Sequence, residues 1–281
     1  MRFLPFAAAA FLTVASLPAQ NDALGKTGAM LLKEHAASIV TLNVVVKLEF
    51  MGQSREQRIN GRGVLVHESG LILADVQIAA PSFNANSGGK RIDIKVTPLE
   101  FKVVFESEED ELEAFLVGKD SKLGFAFLKL KDGLPKAHAG HVLDYSSAKK
   151  PKVGEQTVTV SRLSKGYDYA PAIGSSRILG VIKKPRKAWI LAGSAATGLP
   201  VWNVAGELIG CQGRIASSLS AARPGTGQAV VLRGGLVAAA VKQALKQAEE
   251  LAKEKKDEKK DGKKDGEGEK KEEKKMDGEG K

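Results

Sequence analysis

Gly61-Arg62-Gly63-Val64-Leu65-Val66-His67-Glu68-Ser69-Gly70-Leu71-Ile72-Leu73-Ala74-Asp75-Val76-Gln77-Ile78-Ala79 reads as two apolar strands around a tight turn. Residues 58–67 and 71–75 are short and rich in Val, Leu and Ile. Glu68-Ser69-Gly70 between them supplies turn chemistry, which is the signature of a β-hairpin. The same grammar extends in both directions. Upstream, residues 38–50 are rich in Val and Leu. Downstream, residues 91–96, 101–105, 114–117 and 125–130 read as strands. Residues 81–89, made of small and turn-forming side chains, read as a loop, and 106–113 as an acidic loop. After a connector at 134–151, a second set reads as strands at 155–162, 176–183, 189–192, 200–203, 207–212 and 228–232. Many short strands separated by turns predict an all-β barrel or sandwich architecture. Amphipathic helices are expected at 21–37 and 236–251. In the second, Val237, Val241, Leu245, Ala248 and Leu251 fall near one face, and it is expected to pack on the second strand set.

The ends of the chain read differently. Arg2 precedes an apolar run from Phe3 to Leu17, and Ala19 offers a small residue for cleavage. This is the pattern of an export signal over residues 1–19, implying a periplasmic or secreted protein. The run is shorter than the ~20 residues of a spanning helix, and no later segment is long and apolar enough to span. From Lys253 the chain is Lys, Glu, Asp and Gly without apolar periodicity, so 253–281 is expected to be disordered. Thirteen lysines and thirteen acidic residues cancel between Lys246 and Lys281, so the net charge of +10 belongs to the remainder of the 281-residue chain. A basic folded part favours acidic partners through screened, long-range attraction. Nucleic acid is disfavoured, because the tail has no net positive block and the chain no aromatic-rich platform. Cys211 is the only cysteine, which excludes an internal disulfide; its apolar strand setting predicts a buried, inert thiol.

Three runs together resemble the trypsin-fold serine proteases of the high-temperature-requirement (HtrA-like) type. The 61–79 hairpin is similar to the family's G-S-G-x-I-I … G-Y-I-L-T-N-x-H-V-V. Asp120-Ser121-Lys122-Leu123-Gly124-Phe125-Ala126-Phe127-Leu128-Lys129-Leu130 is similar to D-x-x-x-D-L-A-L-L-K-I. Ala195-Ala196-Thr197-Gly198-Leu199-Pro200-Val201-Trp202-Asn203-Val204-Ala205-Gly206-Glu207-Leu208-Ile209-Gly210 is similar to G-N-S-G-G-P-L-x-N-x-x-G-E-V-I-G. The resemblance implies two antiparallel six-stranded β-barrels at 38–133 and 152–233, joined by 134–151. A helix at 21–37 precedes them and one at 234–252 follows, with the active-site cleft between the barrels. It also implies that the family's PDZ domain is missing here, and it makes a trimer a possibility.

The same resemblance places Gln77, Gly124 and Thr197 where the family carries its histidine, aspartate and serine. Acyl transfer needs a base that titrates near the working pH beside the hydroxyl. The Gln77 amide does not titrate, Gly124 has no side chain to orient a base, and the Thr197 methyl crowds attack by its own hydroxyl. Ala195 and Thr197 occupy the oxyanion-hole positions. Alanine resists the positive φ that the family glycine allows, and Leu199 replaces a second glycine beside Gly198. Asp75 closes its strand, and alternation is expected to turn it away from Gln77, leaving it to cap the strand end. The histidines His35, His67, His138 and His141 offer no replacement base. The His138/His141 pair lacks a third ligand and a helical setting, so no metal and no cofactor is expected.

These readings lead to an exported serine protease homologue without catalysis, which binds a peptide or protein in the cleft floored by Gln77, Gly124, Thr197, Gly198 and Leu199. Two rivals stay open. One is a hydrolase with a rearranged site built on Thr197. The other is a basic surface module that binds polyanions or anionic lipids.

Overall fold

The computed structural model describes residues 20–50, 52–81, 83–87, 90–107, 111–193, 196–215 and 227–254. The expected export signal, residues 255–281 of the expected disordered tail and the oxyanion position Ala195 lie outside the described residues; Lys253 and Glu254, expected in that tail, are helical.

Helix α1 (Gln20–His35) leads into strands β1 (Ile39–Phe50), β2 (Gln53–His67) and β3 (Leu71–Asp75). A single helical turn, α2 (Val76–Ala79), follows, then β4 (Phe83–Ser87), β5 (Lys90–Val104), β6 (Glu111–Asp120) and β7 (Phe125–Leu130). The second half holds β8 (Gln156–Arg162), β9 (Pro171–Ile182), β10 (Ala188–Leu191), β11 (Pro200–Asn203), β12 (Leu208–Ile215) and β13 (Gln228–Leu232). Helix α3 (234–254) ends the described chain. The strands close into two antiparallel six-stranded barrels, β1-β2-β3-β7-β6-β5 and β10-β13-β12-β11-β8-β9. The expected fold class, two such barrels flanked by an N-terminal and a C-terminal helix, is therefore the observed one. It is compatible with a trypsin-like fold.

Unbroken apolar runs mark the strands that are buried on both faces. In β3, Leu71 and Leu73 join the core that lies between the barrels, while Ile72 and Ala74 fill the first barrel's interior. In β7, Phe125 and Phe127 face the shared core, and Ala126, Leu128 and Leu130 face inward. Strand β13 does the same in the second barrel, with Val230 and Leu232 shared and Ala229 and Val231 inside. A period of two sends successive side chains to opposite faces, so an all-apolar strand means two dry faces. Each fully buried Leu, Ile or Val contributes about 1.5–3 kcal/mol.

Strands β2, β6 and β9 begin earlier than expected, at Gln53, at Glu111 within the expected acidic loop, and at Pro171, and three further departures change the architecture. Residues 83–87, expected within a loop, form β4 and pair with β5 as a hairpin appended to the first barrel. The two strands expected at 91–96 and 101–105 are one continuous strand. Pro98 is accommodated at a bulge, where Val45 pairs with Glu100 and Val46 with Pro98. Helix α3 reaches across to the first barrel rather than packing on the second alone. The Gln247 side chain covers Gly118 of β6, and Ala240, Gln243 and Ala244 face Lys119, Lys122 and Phe127.

A buried arginine ties the halves together. Arg162, at the end of β8, donates from Nε to the Ile39 carbonyl (2.8 Å), from one terminal nitrogen to Ala36 (2.8 Å) and from the other to Tyr169 (3.0 Å). Its own carbonyl accepts from Arg62 Nε at 2.6 Å.

Candidate functional site

A cleft of about 680 Å³ opens between the barrels. The first barrel contributes Asn60, Gly61, Arg62, Asp75 and Ile78. The second contributes Gly174, Ser175 and Ser176 from β9, the loop at Ala196 and Thr197, and Gln212 and Arg214 from β12.

The Asp75 side chain turns into this cleft because β3 has a period of two. Leu71 and Leu73 face the shared core, and Asp75 continues that row. The chain leaves the strand at Asp75. Its carboxylate caps the single turn of α2, accepting from the Gln77 backbone N–H at 2.8 Å. Thr197 of the opposite barrel also lines this cleft, near enough to favour the ionised carboxylate. Burial pushes the Asp75 carboxyl above the usual range. The Gln77 N–H, the Thr197 hydroxyl and the positive charge of Arg214 pull against that rise.

Of the three positions that the resemblance assigns to a triad, two meet directly. Gly124 has φ +77°, and a Cβ there would stand 3.7 Å from the Thr197 methyl. Its carbonyl accepts from Val76 N–H at 2.9 Å, which anchors the start of α2. Gln77 reaches the site through its backbone N–H, on Asp75. Thr197 is 7% exposed. Gly198, at φ +97°, lies against the backbone of Ala74 and Asp75, where a Cβ would stand 3.6 Å from the Ala74 carbonyl carbon. Leu199 is buried and lines the cleft floor.

Gln212 holds the Thr197 loop and has no counterpart in the sequence reading. Its side-chain oxygen accepts from Ala196 N–H at 2.7 Å, and its Nε2 donates to Thr159 Oγ1 at 2.8 Å. Its backbone brackets the same loop, with Gly198 N–H donating to Gln212 O and Gln212 N–H to Leu199 O. The Ala196 N–H, one of the donors at the head of the loop, is therefore engaged. Behind the loop, buried Tyr145 donates to the Gly198 carbonyl at 3.2 Å. Cys211 lies beside Tyr145 in the dry core, and burial pushes its thiol up to about 12.

Among the described residues, the second barrel also leaves a strand edge uncovered at this cleft. β9 pairs with β8 along residues 171–177, but β10 covers β9 only from Ile178 onward. Gly174 and Ser175 are exposed there, and a Cβ on Gly174 would meet open space. The histidines stand elsewhere. His35 stacks on Trp202 with ring centroids 5.0 Å apart, His67 bonds Ser69, and His138 stacks on Phe105 at 4.0 Å. Among the described residues no group of three or more His, Cys, Asp or Glu side chains could hold a metal ion.

No protein-family model matches this chain, and no curated protein matches it.

Proposed function

We propose that this chain is an exported homologue of the HtrA-like serine proteases that binds an extended peptide or protein segment without hydrolysing it. The observation that carries the reading is the edge of β9 at Gly174 and Ser175, uncovered among the described residues and facing a cleft that Asp75 and Thr197 both line. An incoming strand adds main-chain hydrogen bonds to such an edge, and side chains of the cleft select among sequences. Arg62 and Arg214 in the same cleft favour acidic side chains on that segment. Catalysis is disfavoured by the absence of an imidazole at the hydroxyl and the burial of Thr197.

Fluorescence anisotropy of labelled, unfolded casein tests this reading. The expected result is saturable binding with casein recovered intact, and at least about tenfold weaker binding in Gly174→Trp, which fills the open space over the edge. Equal binding by wild type and Gly174→Trp would remove the cleft from the proposal.

The Asp75–Thr197 contact favours a second reading, a hydrolase with a rearranged, Thr197-based site. A buried carboxylate with a raised pKa is a better proton acceptor than an ordinary one. That reading requires casein cleavage, or fluorophosphonate labelling of Thr197, that disappears in both Thr197→Ala and Asp75→Asn.

A further inference from the structure

A second cavity, of about 730 Å³, lies on the second barrel and is built from two basic loops over an apolar floor. One loop carries Lys150 and Lys152, and the β9–β10 turn carries Lys183 and Lys187. Val153, Val181 and Trp189 form the floor, and the Lys187 ammonium stands 5.8 Å from the Trp189 ring centroid. Val153 is 59% exposed and Val181 38%. Leu179, two residues along the same outward face of β9, is 57% exposed. Glu155, the acidic residue nearest in sequence to Lys152, is turned inward. Its carboxylate accepts from Lys152 N–H at 3.0 Å and from Asn203 Nδ2 at 3.2 Å. Four exposed ammonium groups are thus presented around three exposed aliphatic side chains on one face.

We propose that this face docks on an anionic lipid bilayer, with headgroup phosphates on Lys150, Lys152, Lys183 and Lys187 and the aliphatic side chains in the interface. Charge complementarity identifies the partner as an anion, and the exposed aliphatics require one that also takes apolar groups. Lysine is a compact point charge suited to a field of mobile phosphates, whereas a fixed carboxylate partner would favour the arginine fork. Nucleic acid is disfavoured because Trp189 is buried and its face is not free for a base to stack upon. Each lysine near an anionic surface adds attraction to it, and the aliphatic side chains add burial in the acyl boundary. The site is separate from the inter-barrel cleft and does not depend on the function proposed for it.

Cosedimentation of the full chain with vesicles of phosphatidylcholine containing about 30% phosphatidylglycerol tests the proposal. Binding is expected to these vesicles and not to pure phosphatidylcholine. The charge-reversed variant Lys150→Glu/Lys152→Glu/Lys183→Glu/Lys187→Glu is expected to lose at least about a hundredfold. The variant Val153→Ser/Leu179→Ser/Val181→Ser is expected to lose about tenfold. Both carry only exposed substitutions, and unchanged melting temperatures would show that they fold; Lys150→Glu alone serves as a milder variant expected to weaken binding severalfold. Vesicle binding that survives the charge reversal would place the contact elsewhere in the chain and overturn the proposal. So would retention on heparin without any vesicle binding, release from vesicles by soluble glycerol phosphate, or indifference to loss of the aliphatic side chains.

Discussion

Asp75 of the first barrel and Thr197 of the second line the same cleft, and the Thr197 side chain lies near enough to favour the ionised Asp75 carboxylate. The pair fixes a carboxylate in a partly buried place with only partial compensation, and burial raises its pKa. A raised carboxyl pKa means that the folded state binds the proton more tightly than the unfolded chain. Stability linked to this group is therefore fully present below the ordinary aspartate range near pH 3.9 and is lost as pH rises through the folded pKa. At neutral pH the ionised form is the destabilised one.

Asp75→Asn is expected to remove that penalty while keeping an acceptor for the Gln77 N–H, since asparagine caps a helical turn as well as aspartate does. The melting temperature should rise by about 2–4 °C at neutral pH and remain unchanged near pH 3. A fall at neutral pH would mean that attraction to Arg214 outweighs the desolvation of the carboxylate.

While the Glu106 carboxylate acts on its charge without a bond, Arg162 is bonded to carbonyls. It satisfies Ala36, Ile39 and Tyr169 at once, and burial lowers its pKa. Replacing it by methionine removes a buried charge but leaves three carbonyls without their donor, so Arg162→Met should destabilise by roughly 3–5 kcal/mol. Arg162→Lys, a point charge without the planar fork, should recover only part of that loss. Urea unfolding of the two variants separates these outcomes, and a loss below about 1 kcal/mol in Arg162→Met would show that the strut is dispensable.

The barrels were legible because their strands are written as apolar runs between turn residues, and β3, β7 and β13 need two dry faces. The appended hairpin was not. Asn84, Asn86 and Ser87 are turn formers, and only their pairing with β5 holds them extended. The gap between the expected strands at 91–96 and 101–105 holds Pro98, which a bulge absorbs into one continuous strand. The positions of Thr197, Gly124 and Gly198 in one place were readable from motif order. The Asp75 contact was readable too, in the parity of Leu71, Leu73 and Asp75. Gln77 lies beyond the end of the strand, so alternation along β3 says nothing about which side it faces. Gln212 carried no local signal, because a polar residue in a strand reads as solvent-facing until its two partners, 16 and 53 residues away, fold onto it.

Gln212→Leu tests that clamp. The substitution leaves Ala196 N–H and Thr159 Oγ1 without their partner, at a cost of about 2 kcal/mol. The larger consequence is local. The Thr197 loop loses the side chain that holds its head, so amide exchange at Ala196 should accelerate far more than exchange in the strands of the first barrel. Uniform acceleration across both barrels would mean that Gln212 acts on global stability and not on the loop.

His35 closes α1 by stacking on Trp202, with ring planes 20° apart, and the helix is further fixed to the second barrel by Thr27 Oγ1 donating to the Val204 carbonyl at 2.7 Å. Burial lowers the His35 pKa, with Glu34 opposing and His141 assisting. A lowered histidine pKa means that the unfolded chain takes the proton first. The stability that His35 contributes is thus complete above its ordinary pKa near 6.5 and is lost as pH falls through the folded value. Wild type should lose melting temperature between about pH 7.5 and 5, with the indole emission of Trp202 reporting the loosened stack. His35→Phe keeps an aromatic ring on Trp202 and removes the titration, so its melting temperature should fall less over the same interval. Parallel pH dependences in the two proteins would assign the acid sensitivity to other groups and leave His35 as a packing residue alone.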